Sequence, residues 1–190
     1  DLHYQSPWFN EALAKEENLK ISELNLNLAC DICIIGGGFT GLWTAIKIKE
    51  KKPKLNNFLI EKDLCGSGAS GRNGGCMIPQ STKFQGIRDI VGVNDAKKMV
   101  LSTEAAVKNI KDFCSENKIS AEIRDDGVLY GATNRFHQGA FENLIRDLNQ
   151  HNINSWERLS KEKVQDLTKS KKFVDGYFSP IGGSLQPAFL

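Results

Sequence analysis

The sequence is poor in the residues that most specialised chemistries need. Its three histidines, His3, His137 and His151, are isolated, so neither a metal cluster nor a catalytic triad is legible. Its five cysteines, Cys30, Cys33, Cys65, Cys76 and Cys114, form an odd and widely spaced set. That excludes a disulfide framework and makes a reducing cytoplasm the expected location. No apolar run approaches the roughly 20 residues that a membrane-spanning helix requires. The opening Asp1-Leu2-His3-Tyr4 has neither an initiator Met nor the basic-then-apolar pattern of a signal peptide. The expectation is a soluble chain whose front end is that of a fragment. Charge is lacking too: 25 basic residues against 23 acidic ones give a net charge of +2 over 190 residues. A nucleic-acid surface and an acidic tail are thereby excluded. The densest basic run, Lys51-Lys52-Pro53-Lys54, reads as a solvated turn after a helix. No repeat and no low-complexity tract is present.

Residues 1–28 are polar with scattered aromatics (Tyr4, Trp8, Phe9) and read as an arm that packs on the main body. Ala29-Cys30-Asp31-Ile32-Cys33-Ile34-Ile35 is β-rich, and its apolar end suits a strand buried on both faces of a parallel sheet. Glycines follow, then a helical stretch from Gly41 to about Lys52, stopped by Pro53. A second strand, Phe58-Leu59-Ile60, ends on Glu61. A strand–helix–strand unit of roughly 30 residues has the size of a right-handed crossover. Further on, the spacing predicts a helix from about Asp95 to Glu116 with Asn94 as N-cap. Met99, Thr103, Ala106, Ile110, Phe113 and Cys114 form its expected core stripe. A strand within 121–132 carries a turn at Asp126-Gly127. A third helix is expected over about Arg135 to Gln150, and a short fourth one after Ser160, where Leu159 and Val164 have the spacing of a hydrophobic staple. Residues 173–190 are β-like and broken by glycines.

The strongest local signal is Gly36-Gly37-Gly38-Phe39-Thr40-Gly41. It matches G-x-G-x-x-G directly after a strand and at the opening of a helix. Gly36 makes the tight turn out of the strand, Gly38 lets the backbone approach a pyrophosphate, and Gly41 lets the helix lie close on the strand. The helix N-terminus offers unpaired N–H groups to the anion. Glu61, at the end of the second strand, stands where an acid accepts hydrogen bonds from an adenosine ribose. An acid there argues against the 2′-phosphate of NADP, but these features alone do not separate FAD from NAD.

A second glycine loop follows: Gly66-Ser67-Gly68-Ala69-Ser70-Gly71-Arg72-Asn73-Gly74-Gly75. It is a run of small residues with one cation and good hydrogen-bonding side chains, and it could wrap a diphosphate. Its order resembles the D-amino-acid oxidase superfamily of flavoproteins, and within it the γ-glutamylputrescine oxidase-like branch. The resemblance extends to the strand and turn over residues 30–42, to Asp126-Gly127-Val128-Leu129-Tyr130 and to Gly182-Gly183-Ser184-Leu185-Gln186-Pro187.

The resemblance implies FAD bound in extended form, with adenosine at Glu61 and pyrophosphate over Gly38, Phe39 and Thr40; Gly36, Gly41 and Lys62 are expected among the cofactor-binding residues. Ser70, Gly71, Arg72, Asn73, Gly74 and Gly75 would run toward the flavin. Arg72 would balance phosphate charge or pair with an acid. Asn73 stands where some relatives carry a His covalently joined to the flavin, so FAD is expected to be non-covalent. The implied reaction oxidises a C–H beside the nitrogen of a small amine or amino acid, and the resulting imine hydrolyses. The redox chemistry belongs to the cofactor. An NAD-dependent dehydrogenase would leave the second loop unexplained; a nucleotide-binding module without chemistry is the other alternative.

The expected fold class is α/β: a Rossmann-like FAD-binding domain interrupted by an α+β substrate domain and truncated at its C-terminus. The expected segments are 1–28 (arm), 29–89 (FAD domain), 90–182 (start of the substrate domain) and 183–190 (return). No catalytic residue is legible, and residues 1–190 alone are expected to be inactive. Cys30-x-x-Cys33 has redox-motif spacing but lies in a strand, where i and i+3 face opposite ways, so both are read as core. Cys76 is read as a buried thiol and Trp43 as packing.

Overall fold

The computed structural model describes residues 6–16, 23–25 and 27–190. They form two compact units, Asp1–Gly75 with Gln186–Leu190, and Cys76–Leu185.

The first unit opens with α1 (Pro7–Lys15). Ser6 caps it, accepting from the Phe9 N–H at 3.4 Å, and Pro7 fills the first helical position, where no donor is needed. Phe9 is buried, so this part of the arm does pack on the body; Tyr4 lies outside the described residues. β1 (Ile32–Ile35) and β2 (Asn57–Ile60) pair in parallel, Ile32 opposite Asn57 and Ile35 opposite Ile60. α2 (Phe39–Lys51) connects them and ends just before Pro53. This is the crossover unit the sequence predicts. Two expectations fail here. Cys33 is exposed, and Cys30 is exposed and precedes the strand. α2 covers only the face of β1 that carries Ile34, and strand residues alternate between faces, so Cys33 and Ile35 are left uncovered. Ile35 is 84% exposed, and among the described residues β1 pairs only with β2.

In the second unit, β3 (Cys76–Met77) is followed by α3 (Phe84–Val91), α4 (Val93–Glu116) and β4 (Val128–Ala132). Then come α5 (Glu142–Gln150), β5 (Glu157–Leu159), α6 (Lys161–Thr168), β6 (Asp175–Ser179) and β7 (Gly183–Ser184). β6 is the centre of an antiparallel sheet ordered β4-β6-β5, with Tyr130 and Arg158 both opposite Tyr177. β3 and β7 form a separate two-residue antiparallel pair. The core gathers Phe84, Val100, Leu144, Leu148, Ile153, Trp156 and Tyr177. The Trp156 indole N–H is satisfied by the Ser81 hydroxyl at 2.8 Å. Ser160 caps α6, accepting from the Lys163 N–H, as its position predicts.

Four sequence expectations need correction in this unit. The helix predicted over 135–150 is two pieces, a 3-10 turn at Arg135–His137 and α5, because Gly139 adopts a φ of +76° between them; Phe136, within the predicted helix, is fully exposed. α4 begins at Val93 after Gly92, so Asn94 is inside the helix and is not its cap. Its buried residues are Ala96, Val100, Val107 and Cys114; of the expected stripe Cys114 is buried, while Met99 is 46% exposed. Cys76 is exposed.

Candidate functional site

The first unit holds both glycine loops and the acid that follows β2, so every residue that the sequence nominates for a dinucleotide is within one compact body. β1 and β2 set the frame. The Gly36 N–H donates to the Ile60 carbonyl at 2.8 Å and closes the end of the parallel pair. Gly36 has a φ of +106°, a conformation that side chains rarely adopt. At Gly41 the constraint is proximity: a Cβ there would stand 1.9 Å from the Gly36 carbonyl oxygen. The turn and the first helical step therefore fit together only without side chains at these two positions.

α2 starts with Gly38 at its cap position, and Gly38 has no side chain to cap with. Ser70 supplies the cap from the second loop, its Oγ accepting from the Phe39 N–H at 2.8 Å. The N–H groups of Gly38, Thr40 and Gly41 have no partner among the described residues. They are the orphan donors that any helix start leaves, here at the end of a 13-residue helix. Such a cluster of donors at a positive dipole end is suited to a phosphate.

Glu61 binds the protein more than its expected role requires. Its Oε2 accepts from the Gly37 N–H at 2.6 Å, and its Oε1 accepts from the N–H groups of Lys62 (2.9 Å) and Asp63 (3.2 Å). The Gly37 hydrogen bond holds its carboxyl below the usual carboxylate range, reinforced by those from Asp63 and Lys62 and opposed by partial desolvation. A carboxylate has about four acceptor sites. Among the described residues three are used, which leaves one on Oε2 for a ligand hydroxyl. Lys62 contributes its backbone N–H here, and its side chain is exposed.

The second loop is tied by its own polar groups. Gly66 N–H donates to the Gly37 carbonyl at 2.9 Å, which joins the two loops directly. Residues Ala69–Gly71 form a 3-10 turn. The Asn73 carboxamide is fully engaged in the loop: Nδ2 donates to the carbonyls of Ser70 (2.7 Å) and Ala69 (3.2 Å), and Oδ1 accepts from the Gly75 N–H at 2.7 Å. Arg72 donates through Nε to the Gly68 carbonyl at 3.2 Å. No carboxylate pairs with it among the described residues. Arg72, Asn73 and Gly74 remain exposed beside the loop.

The arrangement suits a dinucleotide phosphate. One helix start offers three donors, one acid accepts beside it, and a loop of small residues is bonded to the helix start and the first glycine turn through Ser70 and Gly66. Sequence reasoning missed two parts of this arrangement. One is the Ser70 cap in trans; the other is the buried Ser6 and Phe9, which touch Gly71 of the second loop. The capless glycine at the start of α2 was the available signal for the first. Local pattern gives none for the second, because the contacts span 65 residues. No group of side chains able to hold a metal ion occurs among the described residues, and none of their helices is long and apolar enough to cross a membrane.

Gamma-glutamylputrescine oxidoreductase of Escherichia coli is 25% identical over 165 residues, 86% of this chain and 38% of that protein. The probable oxidoreductase OrdL of Haemophilus influenzae is 27% identical over 195 residues, 97% of this chain and 42% of that protein. The chain therefore spans about two fifths of the length of these relatives. In three dimensions it is similar to L-proline dehydrogenase from P. horikoshii, with a TM-score of 0.62, 20% identity and coverage of 86% of this chain and 40% of that one. The α/β fold is that of this structure. The family described as DAO, FAD dependent oxidoreductase, matches residues 31–190. The chain belongs to this FAD-dependent oxidoreductase family.

Proposed function

We propose that the first unit is the FAD-binding part of an oxidoreductase acting on a small amine or amino acid, and that the second unit begins its substrate domain. The observation that carries this reading is the junction of the two glycine loops: Ser70 caps α2 and Gly66 is bonded to Gly37. A dinucleotide site of the NAD type needs the first loop and the acid only. A second small-residue loop fixed against the first provides for a longer cofactor.

The N–H groups of Gly38, Thr40 and Gly41 take the pyrophosphate, and the Gly36 turn places them. Glu61 uses its remaining acceptor site on the adenosine ribose, beside Lys62. Phe39 is committed to Ser70 through its N–H, so its part is to keep that cap in place. Ser70, Gly71, Arg72, Asn73, Gly74 and Gly75 form the wall along the rest of the cofactor, where Arg72 offsets phosphate charge. Asn73 has no nucleophilic atom and its amide is used within the loop, so the cofactor is held without a covalent bond. Bound FAD supplies the two-electron oxidation of the C–H next to nitrogen. The chain's residues bind and orient it and keep its phosphates neutralised.

The substrate class rests on the family and on the named activity of the Escherichia coli relative. The test is anaerobic mixing of the FAD-loaded full-length protein with a panel of primary amines, γ-glutamylated amines and amino acids. Loss of the oxidised-flavin absorbance with at least one of them is expected. Reduction by hydroxy acids or alcohols, with none by any amine, would contradict the substrate class while leaving the cofactor assignment in place.

A further inference from the structure

The second glycine loop is braced by a segment that precedes the residues matching the family. α1 lies before residue 31, where that match begins. Phe9 is 4% exposed, and its ring occupies the space where a side chain at Gly71 would go. A Cβ on Gly71 would stand 2.7 Å from the Phe9 ring and 2.5 Å from the Gly66 carbonyl oxygen. A Cβ on Gly66 would stand 3.4 Å from the same ring. The buried Ser6 hydroxyl donates to the Gly71 carbonyl at 2.8 Å and accepts from the Phe9 N–H, so a single group caps α1 and holds the loop.

α1 is anchored in turn. The Gln186 carboxamide, 3% exposed, donates to the Trp8 carbonyl at 2.8 Å, and its Oε1 accepts from the Ala188 N–H at 2.6 Å. The Lys15 ammonium lies 4.1 Å from the centre of the Phe189 ring. A nine-residue helix is too short to be stable alone; these contacts are what order it. The point they brace is Gly71, between Ser70, the cap of α2, and Arg72.

We propose that α1 is a positioning element of the cofactor site, with Phe9 and Ser6 acting through Gly71 to hold the second glycine loop in its binding conformation. The inference rests on the reading that this loop faces FAD. If removal of the Phe9 ring leaves the loop competent in only about a tenth of the molecules, apparent FAD affinity falls about tenfold.

The test compares wild type, Phe9→Ala, Phe9→Leu and Ser6→Ala in the full-length protein. FAD dissociation constants are measured by flavin fluorescence, and amide hydrogen exchange is followed in the cofactor-free protein. Phe9→Ala is expected to bind FAD about tenfold more weakly, with faster exchange at residues 66–75 and unchanged exchange in β1 and β2. Phe9→Leu is expected to restore most of the affinity. Wild-type affinity and wild-type loop exchange in Phe9→Ala would overturn the proposal, and so would a uniform rise of exchange across the unit. If Phe9→Ala does not fold, Ser6→Ala decides by the same two readouts. Failure of the wild type to take up FAD would contradict the cofactor reading, while the exchange pattern would still judge the brace.

Discussion

At the residue scale, Glu61 separates two roles that the sequence presents as one. An acid after the second strand signals a ribose acceptor, but here three of its four acceptor sites hold the backbone of Gly37, Lys62 and Asp63. Glu61→Gln puts an NH2 group where one acceptor oxygen was, opposite backbone donors. FAD affinity should fall on the order of tenfold or more, read by titration with the cofactor. Wild-type affinity in this variant would show that the carboxylate is not needed. The pH dependence has a definite sign. Because the backbone donors depress the Glu61 pKa, the carboxylate persists from neutral pH down through the ordinary Glu value of about 4.3; its contribution is lost only as pH falls through the lowered value. Affinity that already declines between pH 6 and 5 would contradict this. Gly41 gives a purely steric prediction. Gly41→Ala puts a methyl group 1.9 Å from the Gly36 carbonyl oxygen, a backbone atom that cannot rotate away. Overpacking of this kind costs about 3 kcal/mol or more. A variant with unaltered urea unfolding would show that α2 does not lie where described.

At the scale of elements, Asp175 ties β6 to its surroundings. It is 3% exposed, and it accepts from the Gly139 N–H at 2.8 Å and from the Arg158 Nε at 3.0 Å. Arg158 also pairs with Glu142 at the start of α5. Burial pushes the Asp175 carboxyl up, but the hydrogen bonds from Gly139 and Arg158 outweigh it, and the net shift is downward. Asp175 therefore contributes stability that is fully present above its unfolded value of about 3.9. That contribution is lost as pH falls through the lowered folded value. Asp175→Asn should cost about 2 kcal/mol at neutral pH, and the difference from wild type should shrink in acid. Arg158 is 44% exposed, so solvent screening keeps the share of that ion pair small. A difference that grows in acid would reverse the assignment.

Elements were legible in the sequence where the signal is local. β1, α2 and β2 follow from an apolar run, a glycine turn and a stop at Pro53, all within about 30 residues. Ser160 marks the start of α6 by the same kind of local chemistry. The sequence misled where two readings compete. α4 carries two apolar stripes, and only packing decides that Val100 and Val107 face inward while Met99 does not. The continuous apolar pattern over 135–150 hides the positive φ at Gly139. Cys33 and Cys76 were misplaced because burial depends on what covers a strand, which the strand's own residues do not specify. In the candidate site, the glycines and Glu61 were legible as a motif, but the partners that fix them, Ser70, Ser6 and Phe9, are joined to it only in three dimensions.

At the scale of the whole molecule, the chain forms two units. One carries both glycine loops on a parallel strand pair; the other is an antiparallel sheet with four helices. Among the described residues β1 pairs only with β2, so its other edge is unpaired, and the face that carries Cys33 and Ile35 is exposed beside it. Such edges promote association with other strands. A polypeptide of residues 1–190 expressed alone should therefore self-associate, as seen by light scattering; a monodisperse monomer that unfolds cooperatively would argue against an open edge.

The central claim is that the two glycine loops together bind FAD and do so without a covalent bond. The most direct measurement is the absorbance of the purified full-length protein before and after acid precipitation, with a parallel titration of the cofactor-free form with FAD and with NAD. The account predicts flavin bands in the native protein, all the flavin in the supernatant after precipitation, and stoichiometric uptake of FAD but not NAD. Flavin that stays with the precipitated polypeptide would contradict the reading of Asn73. Uptake of NAD in place of FAD would contradict the reading of the second loop.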